Sequence, residues 1–247
     1  MKKNKTLTLF LLFGLLITIP LVTSILQRSG FELRISALED DEPSNVIISD
    51  IKENSFKVTW ITEREVIGGV SVVNETQFNE DDSSSYHTVD IIGLKPSTIY
   101  TFKLLSNTKT WTKEDGSDYS VKTSGTITSK EKFLIYGQVF SADGYSFQQG
   151  GIISMQLRSG TLNSELVSAI INETGGYQMN IGGVLSDGLD RTFPYEGDND
   201  VVFKIYITND QTAIEKNYTI NFVNNRQIPN IYLGEVNIDI IPGVEGE

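Results

Sequence analysis

His87 is the single histidine of the chain and cysteine is absent. A Ser-His-Asp nucleophile therefore has one ring to be built around, and a Cys-His pair has no sulfur at all. The run Tyr86–Ile92 that carries His87 reads as a strand. Histidine zinc sites fail on number. Carboxylates are plentiful at 32 Asp and Glu, and a pair about 5–10 Å apart in space is all that glycoside hydrolysis asks. Nothing in the spacing selects one. The compact run Glu196-Gly197-Asp198-Asn199-Asp200 is the best calcium candidate, with Glu196, Asp198 and Asp200 as oxygen ligands in a loop helped by backbone carbonyls. A plain acidic turn explains the same residues. Gly150-Gly151 and Gly175-Gly176 lack a following lysine and a strand-to-helix context, so they read as hairpin turns and not as phosphate loops. The expectation is a protein with no catalysis and no cofactor.

One aromatic invites a binding role. Trp111 stands between Thr110 and Thr112 in the polar segment 107–118, which also holds the turn pair Asp115-Gly116. An exposed tryptophan there would be a contact residue for a protein or a sugar. The alternative is that Trp111 folds over the rim of its domain, and the lack of a second aromatic beside it favours that packing.

The elements that must position these residues are short strands. Phe56-Lys57-Val58-Thr59-Trp60 alternates with period two, placing Phe56, Val58 and Trp60 on a core face and Lys57 and Thr59 on the other. Further strands are expected at Val46–Ile48, Gly69–Val73, Tyr86–Ile92, Tyr100–Leu104 and Tyr119–Thr123, with Asn74–Ser85 as a polar stretch between two of them. After a polar connector, a second set is expected at Phe133–Phe140, Ile152–Leu157, Leu166–Ile171, Tyr177–Ile181, Val201–Thr208, Tyr218–Val223 and Ile231–Ile241. Turn pairs recurring between such runs predict an all-β chain of two tandem sandwiches.

The amino terminus reads differently. A basic head at 1–5 precedes 21 uncharged, mostly apolar residues from Thr6 to Leu26, about the length that crosses hydrocarbon. An uncleaved signal anchor over 6–26 is expected, with cleavage after Ser24 as its rival. Lysines ahead of the span place the head in the cytoplasm and the remainder outside. Residues 27–42 form an acidic tether and 242–247 a tail. A net charge of −12, from 20 basic against 32 acidic residues, argues against a nucleic-acid partner, which would need clustered Lys and Arg.

Leu94-x-Pro96-x-Thr98-x-Tyr100, with Trp60 ahead of it, resembles the fibronectin type III domain over 43–123. In that family the tyrosine hydroxyl at this turn bonds back to upstream backbone, the tyrosine corner. No Arg-Gly-Asp occurs, so integrin binding is not implied. Beyond the linker 124–132, the segments Tyr136-Gly137-Gln138-Val139, Asp143-Gly144, Ile152-Ile153 and Glu173-Thr174-Gly175-Gly176-Tyr177 resemble the carboxypeptidase regulatory-like domain, a transthyretin-type sandwich, over 133–241. The stretch 182–199 is longer than that family usually has. Together these imply a single-pass cell-membrane protein displaying two outward modules for adhesion, display or spacing, with an extracellular protein or carbohydrate as partner. Binding is expected at the Trp111 hairpin or the 182–199 loop. The alternative function is an accessory or carbohydrate-processing subunit of an extracellular enzyme system.

Overall fold

The computed structural model describes residues 41–127, 132–195, 197–207, 213–223 and 226–234. The expected anchor over 6–26, its rival cleavage after Ser24, nearly all of the tether, Glu196 and the tail lie outside them. Among the described residues every regular element is a strand, and no helix is long and apolar enough to cross a membrane. The described residues form one compact unit.

The first sandwich holds β1 (Ser44–Ser49), β2 (Ser55–Val72), β3 (Gln77–Ile92), β4 (Ile99–Ser106), β5 (Lys109–Trp111) and β6 (Tyr119–Lys122). The two strands expected at Phe56–Trp60 and Gly69–Val73 are one element, β2, of 18 residues. Straight, it would run roughly 60 Å. Yet Phe102 pairs with Val72 at one end of β2, while its ring lies 5.4 Å from that of Phe56 near the other end. The strand therefore doubles back on itself. Its ladder with β3 slips between Ile61 and Val66 and again between Ile67 and Gly69, and such irregularities let a strand bend. The first half of β2 pairs with β1 and the far half of β3, the second half with β4 and the near half of β3. Phe56, Val58, Trp60, Val70, Val72, Ile91, Phe102 and Leu104 fill the space enclosed.

The polar stretch Asn74–Ser85 is thereby corrected, since from Gln77 onward it is strand. It looked like a loop because that half of β3 buries little: most of Gln77–Ser85 faces solvent, and its backbone ladder to β2 holds it instead.

In the second sandwich, β7 (Leu134–Phe140), β11 (Gly176–Asn180) and β14 (Ile231–Tyr232) make one layer. The other has β8 (Ile152–Ser159), β9 (Leu162–Asn163), β10 (Val167–Ile170), β12 (Asp198–Tyr206) and β13 (Ile214–Asn221). Ile135, Val139 and Met179 of the first layer meet Met155, Val201 and Phe203 of the second in a single core. The stretch 182–199 is no free loop. Val184, Leu185, Phe193 and Tyr195 from it are buried, and Phe193 and Tyr195 join that core. Four large apolar side chains in one connection explain its length better than a binding role does.

Candidate functional site

Around His87 the structure builds a chain of three polar side chains. Thr62 Oγ1 lies 2.9 Å from His87 Nε2, and His87 Nδ1 lies 2.6 Å from Glu80 Oε2. By spacing alone this is a hydroxyl, an imidazole and a carboxylate in the order of a nucleophilic triad. The proton directions deny it that role. The Thr62 hydroxyl also lies 2.7 Å from the Arg64 carbonyl, to which it can only donate, and a hydroxyl proton engaged there is not free to pass to the imidazole as activation of a nucleophile requires. Thr62 and His87 are fully buried, and the imidazole stacks on Trp60 at 4.8 Å between centroids. Glu80 also accepts from the backbone N–H of Gly68 and of Thr88. The set ties the bend of β2 to both halves of β3, a polar network whose Thr62 and His87 are buried and whose Glu80 is partly exposed.

The other sequence candidates separate. Asp198 and Asp200 sit on β12 and not on a loop, spaced two apart on its outward face, where Asp198 Oδ1 accepts from Asn221 and Asp200 Oδ1 from Thr219 on β13. Among the described residues no three His, Cys, Asp or Glu gather as metal ligands. Trp111 ends β5, paired with Leu104, and packs partly buried against the first core, with the Lys109 ammonium 5.9 Å from its ring centre. The Asp115-Gly116 turn is a separate feature beyond it, held by Ser117 donating to Asp115.

The corner residues converge. The Lys95 N–H donates to the Tyr100 hydroxyl at 2.8 Å, and Leu94 and Tyr100 are both buried. Thr98 donates its hydroxyl proton to the Pro96 carbonyl, and its N–H bonds to Thr123 Oγ1, whose own proton reaches the Lys95 carbonyl at 2.7 Å. Ser97 donates to the Ser124 carbonyl. Thr123 and Ser124 are buried, so this end of the predicted linker is part of the first sandwich.

Nothing local announced the junction between the sandwiches. Asp50, in the left-handed region at φ 51°, which Asp tolerates better than most residues, is its hub. The Asp50 N–H donates to the Leu166 carbonyl at 2.8 Å, and its carboxylate receives the Lys57 ammonium at 3.1 Å and the Ser168 N–H at 3.4 Å. Lys57 donates to the Ser168 carbonyl as well, and the buried Ser49 and Ser168 hydroxyls lie 2.7 Å apart. Ile47, Ile61 and Ile152 pack beside them with Tyr86. Gly150, at φ +73°, could carry no side chain there, because a Cβ would stand 2.5 Å from the Tyr86 ring. The face of β2 expected to meet solvent is thus covered, and Thr59 on it is fully buried.

Next to this junction opens a cleft of about 800 Å³ with both sandwiches for walls. Lys57, Thr88 and Asp90 line it from the first, and Tyr136, Gln138 and Gln178 from the second. Tyr136 pairs across the sheet with Gln178, and Gln138 follows two residues along the same face of β7. The Tyr136 side chain is 48% exposed. Elsewhere, Glu165 is pushed up to about 7, chiefly by burial and further by the charge of Asp187.

Fold and junction together define an all-β protein of two β-sandwiches fastened side to side. No family model matches the chain, and no curated protein does. Among solved structures it is similar to "Structure of PhoD" at 12% identity and a TM-score of 0.28, covering 39% of this chain and 22% of that one. It is similar also to "Crystal structure of chicken CNTN1 FN1-FN3 domains" at 12% identity and TM-score 0.26, over 76% of this chain and 67% of that one. A third is "Central Fibronectin-III array of RIM-binding protein", at 17% identity and TM-score 0.27, over 76% and 65%. These likenesses are too slight to assign a family.

Proposed function

We propose that the chain is a membrane-anchored, outward-facing, non-catalytic protein in which a fibronectin type III sandwich and a carboxypeptidase regulatory-like sandwich act as one stiff unit for display or adhesion. The observation that carries the reading is the junction at Asp50. A carboxylate bonded to Lys57 and Ser168, a backbone bond from Asp50 to Leu166 across the boundary and an isoleucine cluster beside them are what a protein needs to hold two modules in one fixed relation. The Tyr100–Lys95 bond at the Leu94-x-Pro96-x-Thr98-x-Tyr100 turn supports the first family assignment. Tyr177 paired with Gly137 across β11 and β7 supports the second. The full burial of Thr62 and His87 supports a role without catalysis.

Fractionation with carbonate washing, followed by protease treatment of intact cells, tests the placement. The chain should stay with membranes and lose residues 43–241 to external protease. A mature protein that begins near Ile25 and washes free would sink it.

The second reading, an accessory subunit of a carbohydrate-processing system, is favoured by one observation, the cleft lined by both modules. Asp90 is the one carboxylate among the described residues that line it. That suits holding a sugar better than cleaving one, since hydrolysis uses a pair.

A further inference from the structure

The cleft has a chemistry of its own. Gln138 and Gln178 each carry an amide that both donates and accepts, and a sugar's adjacent hydroxyls each do the same, so a planar amide can engage two neighbouring hydroxyls at once. Between these side chains stands Tyr136, whose half-exposed ring offers a flat apolar face. A pyranose presents C–H bonds on its faces and hydroxyls at its rim, which is the complement of a ring bordered by amides. The opposite wall supplies Thr88, Asp90 and the Lys57 ammonium, already held by Asp50 and the Ser168 carbonyl. About 800 Å³ lies within the range of small-molecule sites, and sites commonly fall where two domains meet. The net charge of −12 disfavours an acidic polymer.

We infer that this cleft is a binding site for a neutral oligosaccharide, with Tyr136 as the stacking platform, Gln138 and Gln178 as hydroxyl partners, and Asp90 on the facing wall as a further acceptor. The inference rests on the carbohydrate reading above and moves it from the Trp111 hairpin, where the tryptophan packs against the first core, to the junction. Because the walls belong to different sandwiches, the site exists only while they stay mated. Asp50 therefore maintains the site without touching the ligand.

The test titrates the purified full chain in detergent with cellotriose, mannotriose, xylotriose and chitotriose by calorimetry. At least one should bind. Tyr136→Ala should weaken that binding by about tenfold or more, as for an aromatic anchor, while Tyr136→Phe, which keeps the ring, stays within about twofold. Asp90→Ala should weaken it from the other wall. Trp111→Ala should leave it unchanged. Thermal melts of the Tyr136 and Asp90 variants check the fold, and both residues are surface positions whose loss a folded chain tolerates. No binding by any of the four sugars overturns the inference, and so does binding that survives Tyr136→Ala. The measurement does not involve cellular topology, so its failure leaves the anchored-display reading standing, and failed fractionation leaves the sugar site standing.

Discussion

Tyr100 in the first sandwich and Tyr177 in the second are both buried, 6% and 5% exposed, and both pack into their sandwich's core cluster. Their hydroxyls have different fates. That of Tyr100 accepts the Lys95 N–H at 2.8 Å and closes a turn that also binds Thr98, Thr123 and Ser124. That of Tyr177 is buried with no hydrogen-bond partner, and burial pushes its phenol far above the ordinary range, with Tyr218 adding to the effect. What the second site uses is the ring, which lies edge-on to Phe203 and occupies the space that Gly137 leaves open. A Cβ on Gly137 would stand 2.6 Å from the Tyr177 hydroxyl. The same residue type is thus a backbone clamp in one sandwich and a space filler in the other.

The largest expected effect breaks the first sandwich outright. Trp60 is fully buried between the halves of the bent β2–β3 pair and stacks on His87. Trp60→Ala should cost about 3–5 kcal/mol in urea melts of the full chain, through lost contacts and the cavity left behind. A loss under about 1 kcal/mol would mean that this core does not hold the bend.

Tyr100→Phe comes next and isolates the clamp. The ring stays and only the hydroxyl goes, leaving the Lys95 N–H, on the exposed side of the turn, without its protein acceptor. The expected cost is about 0.5–1.5 kcal/mol, the net contribution of one hydrogen bond whose donor solvent can reach. An unchanged urea midpoint would remove the corner from the account of what stabilises this sandwich.

These two residues mark how far the sequence could be read. The corner was legible because Leu94, Pro96, Thr98 and Tyr100 fall within seven residues, and proline and tyrosine each constrain the backbone locally. Trp60 was legible from period-two alternation. The same alternation put Lys57 and Thr59 on the opposite face, yet could not show that Ser168, 111 residues from Lys57, would cover it. The β2 bend was hidden for a related reason. The two expected strands left 61–68 unassigned, whereas β3 is the ladder partner on both sides of the register slip between Ile61 and Val66. The cleft joins residues from five separate strands, β2, β3, β7, β10 and β11, and no local spacing encodes it.

A pH effect belongs to the second sandwich. Glu165 has its carboxyl pushed up to about 7 in the folded protein, against an ordinary value of 4.5. Between those values the folded state binds more proton than the unfolded one, so stability falls as pH rises from about 4.5 and levels off above about 7. Because Glu165 is partly solvated, the change should be modest. Thermal melts across that window should show the decline in the wild type and a flatter profile in Glu165→Gln. Equal slopes would assign the dependence elsewhere.

Tyr177→Phe is the smallest expected change and the sharpest use of the comparison. Deleting this hydroxyl removes a polar group that is buried at a cost and breaks no hydrogen bond, since it makes none in the structure. The ring that fills the space over Gly137 and meets Phe203 is retained. Stability should therefore stay within about 0.5 kcal/mol of wild type or rise, in direct contrast to the same substitution at Tyr100. A loss as large as that of Tyr100→Phe would show that the Tyr177 hydroxyl does have a partner in solution, a water or a neighbouring chain, and the two tyrosines would then be clamps of the same kind.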